Sequence, residues 1–446
     1  MSERDTVATV VEQKLCNTCG ACAAVCPVDA IRFSETVGGY VFPVIDWNTC
    51  THCGLCVKVC PGILFSRTLK ANMPSDPFVG QCLGAWVGRA TDDEFYRNAQ
   101  SGGVVAALLA HALDSGFADA VLTVRMGWGA PPRPEAVWAT SRQEILESQK
   151  SKYCPVPVSE KLKGIAGTHK KIVVVGVSCQ VHGLLNLLDV SPVLKRNVAL
   201  VVGLICDRTL TCAAVDFLVH KTVRSLEPSH VRMIFRDKQW GGYPGDVHVE
   251  QRDGSHRVMP EDLRIRIKDA FTPARCRLCF DKMNVYSDLT IGDPHGIAGV
   301  NRRDGESVAI VRTPAGREFF NQVLSGDKVR AREVGIEEVV GGQDISSKRV
   351  EWRGYMNAWA ELGRPLPDYG PRPDLEGEKG EAARWRTDLR RALSLDGFKT
   401  RHQLLAAVGR QLWRKTLVRW IRAKLRAARR AWDGMAGNVL GRDHVH

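Results

Sequence analysis

Two runs of cysteines near the amino terminus constrain the fold of this chain more than any other feature of its sequence. Each run reads C-x2-C-x2-C-x3-C-P. The first contains Cys16, Cys19, Cys22 and Cys26, followed by Pro27, and the second contains Cys50, Cys53, Cys56 and Cys60, followed by Pro61. Three closely spaced thiolates can wrap one side of a metal cluster in a tight loop, and a fourth, on the following segment, completes the ligands. The proline lacks an N–H and fixes φ, which helps to turn the chain away from the cluster.

This spacing is typical of bacterial ferredoxins, in which the fourth cysteine of each run ligates the other of two [4Fe–4S] clusters. We therefore predict crossed ligand sets: Cys16, Cys19, Cys22 and Cys60 for the first cluster, and Cys50, Cys53, Cys56 and Cys26 for the second. Structural zinc, the alternative, is usually bound by separated C-x-x-C pairs. Between the runs, "IRFSETVGGYVFPVID" predicts a β-hairpin around Gly38 and Gly39. Two clusters held this close together make the module an electron relay.

The composition indicates a protein of the reducing cytoplasm. The amino terminus, "MSERDTVATVVEQKL", has charges and no apolar h-region, which together with fifteen cysteines argues against secretion and a disulfide framework. No stretch of about 18 uncharged apolar residues is present, so we expect no transmembrane helix. The net charge of +13 is concentrated at the carboxyl end, where residues 381–446 hold sixteen Lys and Arg against five Asp and Glu. The first 380 residues are nearly neutral, so electrostatic arguments about partners apply to the tail.

After the relay module the sequence becomes that of an α/β domain. "QSGGVVAALLAHALDSG" predicts a helix with Ser101 at or near its N-cap, Gly102 and Gly103 in its first turn, and Gly116 at its end. Two glycines among free N–H groups at the positive end of a helix favour an anion or phosphate site. They are equally typical of close helix packing, and the residues alone do not separate the two interpretations.

Two later segments combine an apolar strand with a cysteine at its carboxyl end. In "KIVVVGVSCQVHGLLNLL" a strand leads to a helix at Cys179, and in "NVALVVGLICD" Cys206 follows the strand. Such runs alternating with helices predict a parallel sheet, in which ligands bind outside the carboxyl ends of the strands. With Cys276 and Cys279 of "ARCRLCF" they give the four thiolates that a third [4Fe–4S] cluster requires. Buried packing thiols and zinc remain the alternatives.

Several stretches together resemble a known family. They are, in order, "QSGGVVAALLAHAL", "SQKSKYCPVPV", "GVSCQVHGL", "GLICD", "FRDKQWGG" and "CRLCFDKMNVYSDLTIGDPHG". The resemblance is to the beta subunits of coenzyme F420-reducing hydrogenase and F420-linked dehydrogenases, with their relatives that reduce chlorophyll-type pigments. It runs from about Gln81 to about Gly296. The chain has Val177 and Ser178 where the family more often has Thr-Pro, and Ile205 where it more often has Phe, which weakens any transfer of substrate identity.

The resemblance implies a flavoprotein that holds FAD beside a [4Fe–4S] cluster. Its motifs place Cys179, Cys206, Cys276 and Cys279 as the ligands of that third cluster. The motifs also imply a set of residues that line the flavin and substrate pocket, namely Ser101, Gly102, Gly103, Lys152, Tyr153, Ser178 and Gln180. Lys152, Arg236 and Lys238 are candidates for a cation near the flavin ring, or else solvated surface charges.

Other polar and thiol residues have simpler interpretations. His182, three residues after Cys179, lies close enough in sequence to approach the cluster but is typical of a structural histidine. Asp293 in "IGDPHG" is a candidate flavin contact, although a turn is the simpler interpretation. The cysteines outside the predicted ligand sets are taken as packing thiols: Cys82, Cys154 and Cys212.

The carboxyl-terminal part is predicted to be a linker and a basic helix. "RPLPDYGPRPDLEGEKGE" is rich in Pro, Gly and charge. The apolar side of the helix carries Trp413, Leu417, Trp420, Ile421, Leu425, Ala428 and Trp432. Such a helix binds an anionic membrane surface or a partner protein, or packs on its own chain. No nucleic-acid-binding signature accompanies the charge, so nucleic acid is not expected as a partner.

The predicted fold is a small ferredoxin-like domain followed by a larger α/β or α+β domain, with a mixed or mainly parallel sheet, and a helical tail. The predicted boundaries are 1–75 for the ferredoxin domain, 80–190 and 191–345 for the halves of the catalytic region, 346–382 for the linker and 383–446 for the tail. We expect a cytoplasmic oxidoreductase, peripheral at the inner membrane face if its tail binds there. Electrons would pass between a redox partner or low-potential donor, the clusters, FAD and a small organic substrate. The alternative is an electron-transfer subunit without its own substrate, linking a partner enzyme to a soluble carrier.

Overall fold

The computed structural model describes residues 6–222, 230–240, 242–259, 261–369, 382–414 and 416. The cysteine runs lie in a module of short elements, namely helices α1 (Val7–Glu12), α2 (Ala21–Val25), α3 (Leu55–Lys58) and α4 (Arg67–Ala71) and strands β1 (Ile31–Glu35) and β2 (Val41–Ile45). The strands pair antiparallel with Ile31 opposite Ile45. The predicted hairpin is therefore confirmed, and Gly39 in its turn has a φ of 80°.

The two cysteine loops have the same backbone shape. Thr18 and His52, each just before the second cysteine of its run, have φ values of 58° and 53°. Gly20 and Gly54, each just after that cysteine, have φ values of 89° and 72° and cap the following helices. The left-handed region is unfavourable for residues with a Cβ. The same left-handed conformation at matching positions therefore shows that the two cysteine loops share one backbone conformation.

The larger domain is built on an eight-stranded sheet, whose strands are β3 (Gly84–Ala90), β4 (Ala120–Met126), β5 (Pro134–Ala139), β6 (Ile172–Val177), β7 (Val198–Leu204), β11 (Leu289–Gly292), β12 (Ser307–Val311) and β13 (Val329–Val334). Their order across the sheet is β13-β3-β12-β11-β7-β6-β4-β5. The central neighbours β4, β6, β7 and β11 pair parallel. The outer pairs are antiparallel, so the sheet is mixed and the predicted parallel part is its centre.

A second, smaller sheet and the helices complete the domain. Strands β8 (Val231–Asp237), β9 (Asp246–Gln251) and β10 (His256–Met259) form an antiparallel sheet. The helices are α5 (Asp93–Asn98), α6 (Val104–Asp114), α7 (Arg142–Ser148), α8 (Ser178–Val190), α9 (Pro192–Lys195), α10 (Ala213–Thr222), α11 (Glu261–Phe271), α12 (Ala274–Arg277), α13 (Pro314–Ser325), α14 (Ile336–Gly342), α15 (Ile345–Glu361) and α16 (Ala382–Leu393). None of the described helices is both long enough and apolar enough to cross a membrane.

The start of α6 differs from its prediction. Its N-cap is Gly103, with a φ of 75°, and not Ser101. Gly102 lies before the helix, where a Cβ would come within 2.5 Å of the Gly88 carbonyl oxygen. Close packing of the chain on β3 therefore accounts for Gly102. At the other end Gly116, with a φ of 70°, follows the helix as predicted.

The first part of the predicted linker is a helix. Residues 346–361, assigned to the linker, lie in α15, whose Trp352, Met356 and Trp359 are buried. These side chains share one apolar core with residues of the ferredoxin-like module and of the large sheet. The ferredoxin-like module therefore packs against the rest of the chain, whereas the cysteine spacing by itself predicts a separate domain.

The beginning of the basic tail packs on its own chain. Asp396 accepts hydrogen bonds from Thr36 Oγ1 at 2.6 Å and from the Gly38 backbone N–H at 2.8 Å. Arg401 donates to the Val37 carbonyl oxygen at 2.6 Å and forms an ion pair with Asp216 of α10. Asp396 and Arg401 thus connect the β1–β2 hairpin to the beginning of the tail, and Arg401 also connects it to α10. Residues 417–446, which hold most of the predicted apolar face, lie outside the described residues.

Candidate functional site

The predicted ligands of the first cluster lie together. Burial, followed by the charges of Cys19 and Cys16, raises the pKa of both Cys22 and Cys60 well above the usual value. Burial also raises the pKa of Cys16 to about 12 and that of Cys19 to about 11. The thiolate is the form that binds metal, so a buried set of this kind would ionise only beside a cationic centre such as a cluster. The backbone N–H of Thr18 donates to Cys16 Sγ at 3.3 Å, which also favours the thiolate.

The predicted ligands of the second cluster surround a small cavity. Its lining includes Cys26, Cys50, Cys53 and Cys56. The Ala30 backbone N–H donates to Cys26 Sγ at 3.3 Å. Cys53 is exposed, in contrast to the buried Cys22 and Cys60 of the first set. The second set therefore contains the most exposed of the predicted ligands.

The four remaining predicted ligands also converge, from three separate parts of the chain. Cys179 lies in the first turn of α8, directly after β6, and Cys206 follows β7. Cys276 lies in α12, and Cys279 follows that helix. Burial, followed by the charges of Cys276, Cys206 and Cys279, raises the pKa of Cys179 well above its usual value. The carboxyl ends of neighbouring parallel strands thus carry two thiols to a distant C-x-x-C pair, as the sequence predicted.

The first and third cysteine sets are adjacent. A Cβ placed on Gly183 of α8 would lie 2.6 Å from Cys19 Sγ, so α8 packs directly on the first set. The charge of Cys19 also contributes to the raised pKa of Cys179. Cys22 is likewise coupled to Cys56 of the second set. The three sets therefore follow one another in the order second, first, third.

Arg275 lies between the first and third sets, and sequence reasoning missed it. It is only 5% exposed, and its Nη2 donates to the Pro61 carbonyl oxygen at 3.1 Å. Burial lowers the pKa of Arg275, whereas the charges of Cys279, Cys179, Cys276 and Cys60 raise it. The guanidinium also lies 4.4 Å from the ring centre of Tyr369. The only sequence feature that could have indicated Arg275 is its position directly before Cys276 of the C-x-x-C pair.

No group of His, Cys, Asp or Glu within the described part of the chain is arranged to hold a single metal ion. The donor chemistry nevertheless fits iron–sulfur cubanes, because each of four thiolates then binds a different iron and the sulfurs need not meet at one point. His182 is buried and its Nε2 lies 2.8 Å from Asp281 Oδ2, a pairing that accounts for it as a structural histidine. Among the cysteines taken as packing thiols, Cys154 and Cys212 are buried next to each other.

The residues predicted to line a flavin pocket are only partly brought together. Ser101 is buried with its Oγ 3.1 Å from Ser307 Oγ, and its carbonyl oxygen accepts from Lys238 Nζ at 2.8 Å. Tyr153 packs edge-on against Phe235, at a ring-centre distance of 5.2 Å. The side chain of Gln180 is used within the protein, since it accepts from the Val177 N–H and donates to the Val156 carbonyl. Gln180 thus caps α8.

Ser178 differs from Gln180 in having an unsatisfied side chain. It is 2% exposed, and its Oγ has no hydrogen-bond partner. It lies at the carboxyl end of β6, where the fold places ligand sites. An unpaired buried hydroxyl is costly, so this position fits contact with a bound molecule.

A cleft of about 660 Å³ opens at the carboxyl end of β4. Its walls come from α5, α7 and β8 and include Met126, Lys150, Lys152 and Phe235. Burial, followed by the charge of Lys150, lowers the pKa of Lys152 to about 7. Lys152 Nζ donates to the Gln149 carbonyl oxygen at 2.7 Å, so it also holds the end of α7.

Arg236 is not a solvated surface charge, which was one of the two interpretations of its sequence. It is only 6% exposed and has a φ of 58°. Its Nη1 donates to Asp293 Oδ2 at 2.5 Å. Asp293 therefore pairs with a buried arginine, a role beyond a turn that neither residue's local sequence predicted.

A two-cluster module joined to a mixed α/β domain with further clustered cysteines defines an iron–sulfur oxidoreductase of the electron-transfer type. Comparison with known families agrees with this class. Two family models, for the N-terminal and the C-terminal parts of the coenzyme F420 hydrogenase/dehydrogenase beta subunit, match residues 85–163 and 169–336. The chain belongs to this family. A 4Fe-4S dicluster domain matches residues 15–62.

Individual relatives extend over most of the chain. Coenzyme F420 hydrogenase subunit beta of Methanosarcina barkeri is 27% identical over 286 residues, which cover 62% of this chain and 90% of the relative. An F(420)H(2) dehydrogenase subunit from Methanosarcina mazei is 25% identical over 359 residues, covering 79% and 93%. A chain of the solved F420-reducing [NiFe] hydrogenase complex from Methanosarcina barkeri has a TM-score of 0.50 at 22% identity, covering 68% of this chain and all of that one. This likeness confirms the predicted fold class.

Proposed function

We propose that this protein passes electrons between two ferredoxin-type clusters, a third [4Fe–4S] cluster and FAD, and that an organic substrate is reduced or oxidised at the flavin. The observation that carries the proposal is the convergence of Cys179, Cys206, Cys276 and Cys279 beside the first cysteine set. Smaller apolar residues would serve for packing as well as four clustered thiols from separate elements do, whereas a cubane requires four thiolates.

The flavin is proposed at the carboxyl edge of the parallel strands. Ser178, with its unsatisfied Oγ, lies on this edge, and Lys152 and Tyr153 follow α7. When bound, FAD exchanges electrons in pairs with a substrate and singly with clusters. The protein's own contribution is to hold that ring near Cys179 and Cys206 and to supply charges around it. Gly102 and Gln180, explained by packing and capping, are not needed as contacts.

The substrate is proposed to be coenzyme F420 or another small redox-active organic molecule. Support comes from the relatives, which are named as subunits of an F420 hydrogenase and an F420H2 dehydrogenase. A fold supports many chemistries, so the name of a relative identifies the class and not the molecule.

The composition of the anaerobically purified protein tests the cluster proposal. We expect about twelve irons, matching acid-labile sulfide and one FAD per chain, since each cubane holds four irons. Cys276→Ser should lower the iron content to about eight. The control Cys82→Ser, outside every ligand set, should keep about twelve. A wild-type value of about eight, with no flavin, would show that the carboxyl-terminal pair has another role.

An electron-transfer subunit without its own substrate is the second candidate. It is favoured by the relatives that are named as subunits and by the solved relative, which is part of a complex. A redox partner protein is therefore part of the proposal in either case. The isolated protein, reduced by a low-potential donor, should be reoxidised by F420 if it has its own substrate site. Reoxidation only after a partner subunit is added would favour the second candidate.

The basic tail is proposed to bind a membrane surface or partner. Trp413, near the end of the described segment, is 65% exposed, unlike Leu404 and Val408, which pack on the chain. Cosedimentation of the full chain with anionic and with neutral vesicles tests the membrane alternative. Equal recovery with both vesicle types would favour a protein partner.

A further inference from the structure

The ion pair of Arg236 and Asp293 leaves a donor and an acceptor unused. Arg236 Nη1 donates to Asp293 Oδ2 at 2.5 Å, and Arg236 Nε donates to the Pro244 carbonyl oxygen at 3.1 Å. Arg236 Nη2 and Asp293 Oδ1 are buried and have no hydrogen-bond partner. Arginine and carboxylate frequently pair through two parallel bonds, which use two guanidinium nitrogens and both carboxylate oxygens. Here one bond is made, and the second donor and acceptor are available to another molecule.

The backbone holds Arg236 in this arrangement. Its φ of 58° is unusual for a residue with a long side chain. Gly245 packs against it, since a Cβ there would lie 2.5 Å from the Arg236 carbonyl carbon. The Tyr243 ring centre is 5.5 Å from the guanidinium. Local strain combined with unsatisfied buried polar atoms is typical of functional sites and is hard to explain by stability alone.

The pair is connected to the third cysteine set by hydrogen bonds through two other residues. Asp293 follows β11, the neighbour of β7, and its carbonyl oxygen accepts from Gln343 Nε2 at 2.7 Å. The Gln343 carbonyl in turn accepts from Lys282 Nζ, and the Lys282 carbonyl accepts from the Cys206 N–H at 3.0 Å. Three hydrogen bonds thus link Asp293 to a proposed cluster ligand. The pair is also at the edge of the sheet where ligands bind.

The two free atoms define the chemistry of a ligand. Arg236 Nη2 can donate to a carbonyl oxygen, and Asp293 Oδ1 can accept from an adjacent N–H. A phosphate or carboxylate would meet a repulsive carboxylate oxygen at the second position. A ring edge in which a carbonyl lies next to an imide N–H satisfies both positions.

We propose that Arg236 and Asp293 bind the pyrimidinedione edge of a flavin or 5-deazaflavin ring, with Arg236 Nη2 on a ring carbonyl and Asp293 Oδ1 on the ring N3–H. This inference rests on the proposed function and names the residues that read the ring. The bound edge would hold the redox-active part of the ring close to Cys206.

Ring analogues methylated at N3 test the proposal on the full chain with its clusters in place. FAD and N3-methyl-FAD are titrated into deflavinated protein, and a 5-deazaflavin and its N3-methyl form are titrated into FAD-loaded protein. We expect one of the two rings to bind at least about tenfold more tightly than its methylated form, because the methyl removes a hydrogen bond to a charged group. The ring that shows this discrimination is the one at the site.

Asp293→Asn should remove most of that discrimination, since an amide N–H would face the ring N–H. Glu250→Gln is the matched control, because Glu250 pairs with Arg232 on the same small sheet. The wild-type comparison decides the matter even if Asp293→Asn does not fold. Equal binding of both parent rings and their methylated forms would overturn the site assignment alone. Failure of the wild-type protein to bind either ring would overturn the proposed function as well.

Discussion

Replacing Arg275 by methionine is expected to lower the reduction potentials of the first and third clusters together. Arg275 is 5% exposed and acts electrostatically on Cys60, Cys179, Cys276 and Cys279. A cluster becomes more negative when it gains an electron. A fixed positive charge therefore stabilises the reduced form, and removal of that charge makes reduction less favourable.

The size of the shift follows from the charge and the burial. For an assumed separation of about 6 Å and an effective dielectric of about 20, one unit charge acts on another with about 3 kcal/mol. Since about 1.4 kcal/mol corresponds to about 59 mV for one electron, the expected shift is on the order of 100 mV for each of the two clusters. The second cluster should move least, because Cys53 is exposed and solvent screens charges there.

Potentiometric titration followed by electron paramagnetic resonance measures the three potentials separately. Arg275→Lys is the control, since it keeps the charge but loses the planar contact with Tyr369 and the bond to Pro61. Its shifts should be well below those of Arg275→Met. Equal shifts in the two variants would show that contact geometry, and not charge, sets the potentials. No shift in Arg275→Met, with iron content unchanged, would refute the electrostatic reasoning.

Three further substitutions test how the module is held. Gly183→Ala should lower the iron content, because the added Cβ would lie 2.6 Å from Cys19 Sγ, whereas Gly164→Ala, with no atom within 4 Å of its added Cβ, should not. Arg401→Ala should weaken docking of the β1–β2 hairpin by about 1–2 kcal/mol, seen as faster amide exchange in that hairpin and not in β6. Trp359→Ala removes a fully buried side chain and should lower the free energy of unfolding, measured by chemical denaturation, by about 3–5 kcal/mol. A much smaller decrease would indicate that the surrounding side chains collapse into the space.

The parts of the site that the sequence predicts are those set by local spacing. The two runs of four cysteines impose their loops through neighbouring residues, and the strands ending at Cys179 and Cys206 are continuous apolar segments. For the same reason the hairpin around Gly39 and the glycine after α6 were predictable. Each depends on chain geometry over a few residues, which propensity and periodicity describe well.

The parts that the sequence does not predict depend on distant segments. The two unused atoms of Arg236 and Asp293 exist only because β8 and β11 come together, and no local pattern specifies that meeting. Helix α15 is a different case, since Trp352, Met356 and Trp359 follow a helical period and the signal was present. The sequence predicted a mixed or mainly parallel sheet but did not identify which of its strands run antiparallel.

The exposed Cys53 gives the proposed relay one end at the protein surface. Cys53 of the second set is exposed, whereas Cys22 and Cys60 of the first set are buried. Cys53 is the most exposed of the twelve predicted ligands, whereas Cys16 of the first set and all four cysteines of the third set are partly exposed. The first set touches α8, which carries Cys179, so it bridges the surface cluster and the sheet edge. Under the proposed function, a partner protein that approaches Cys53 would contact the amino-terminal module, whereas the substrate would bind at the strand ends.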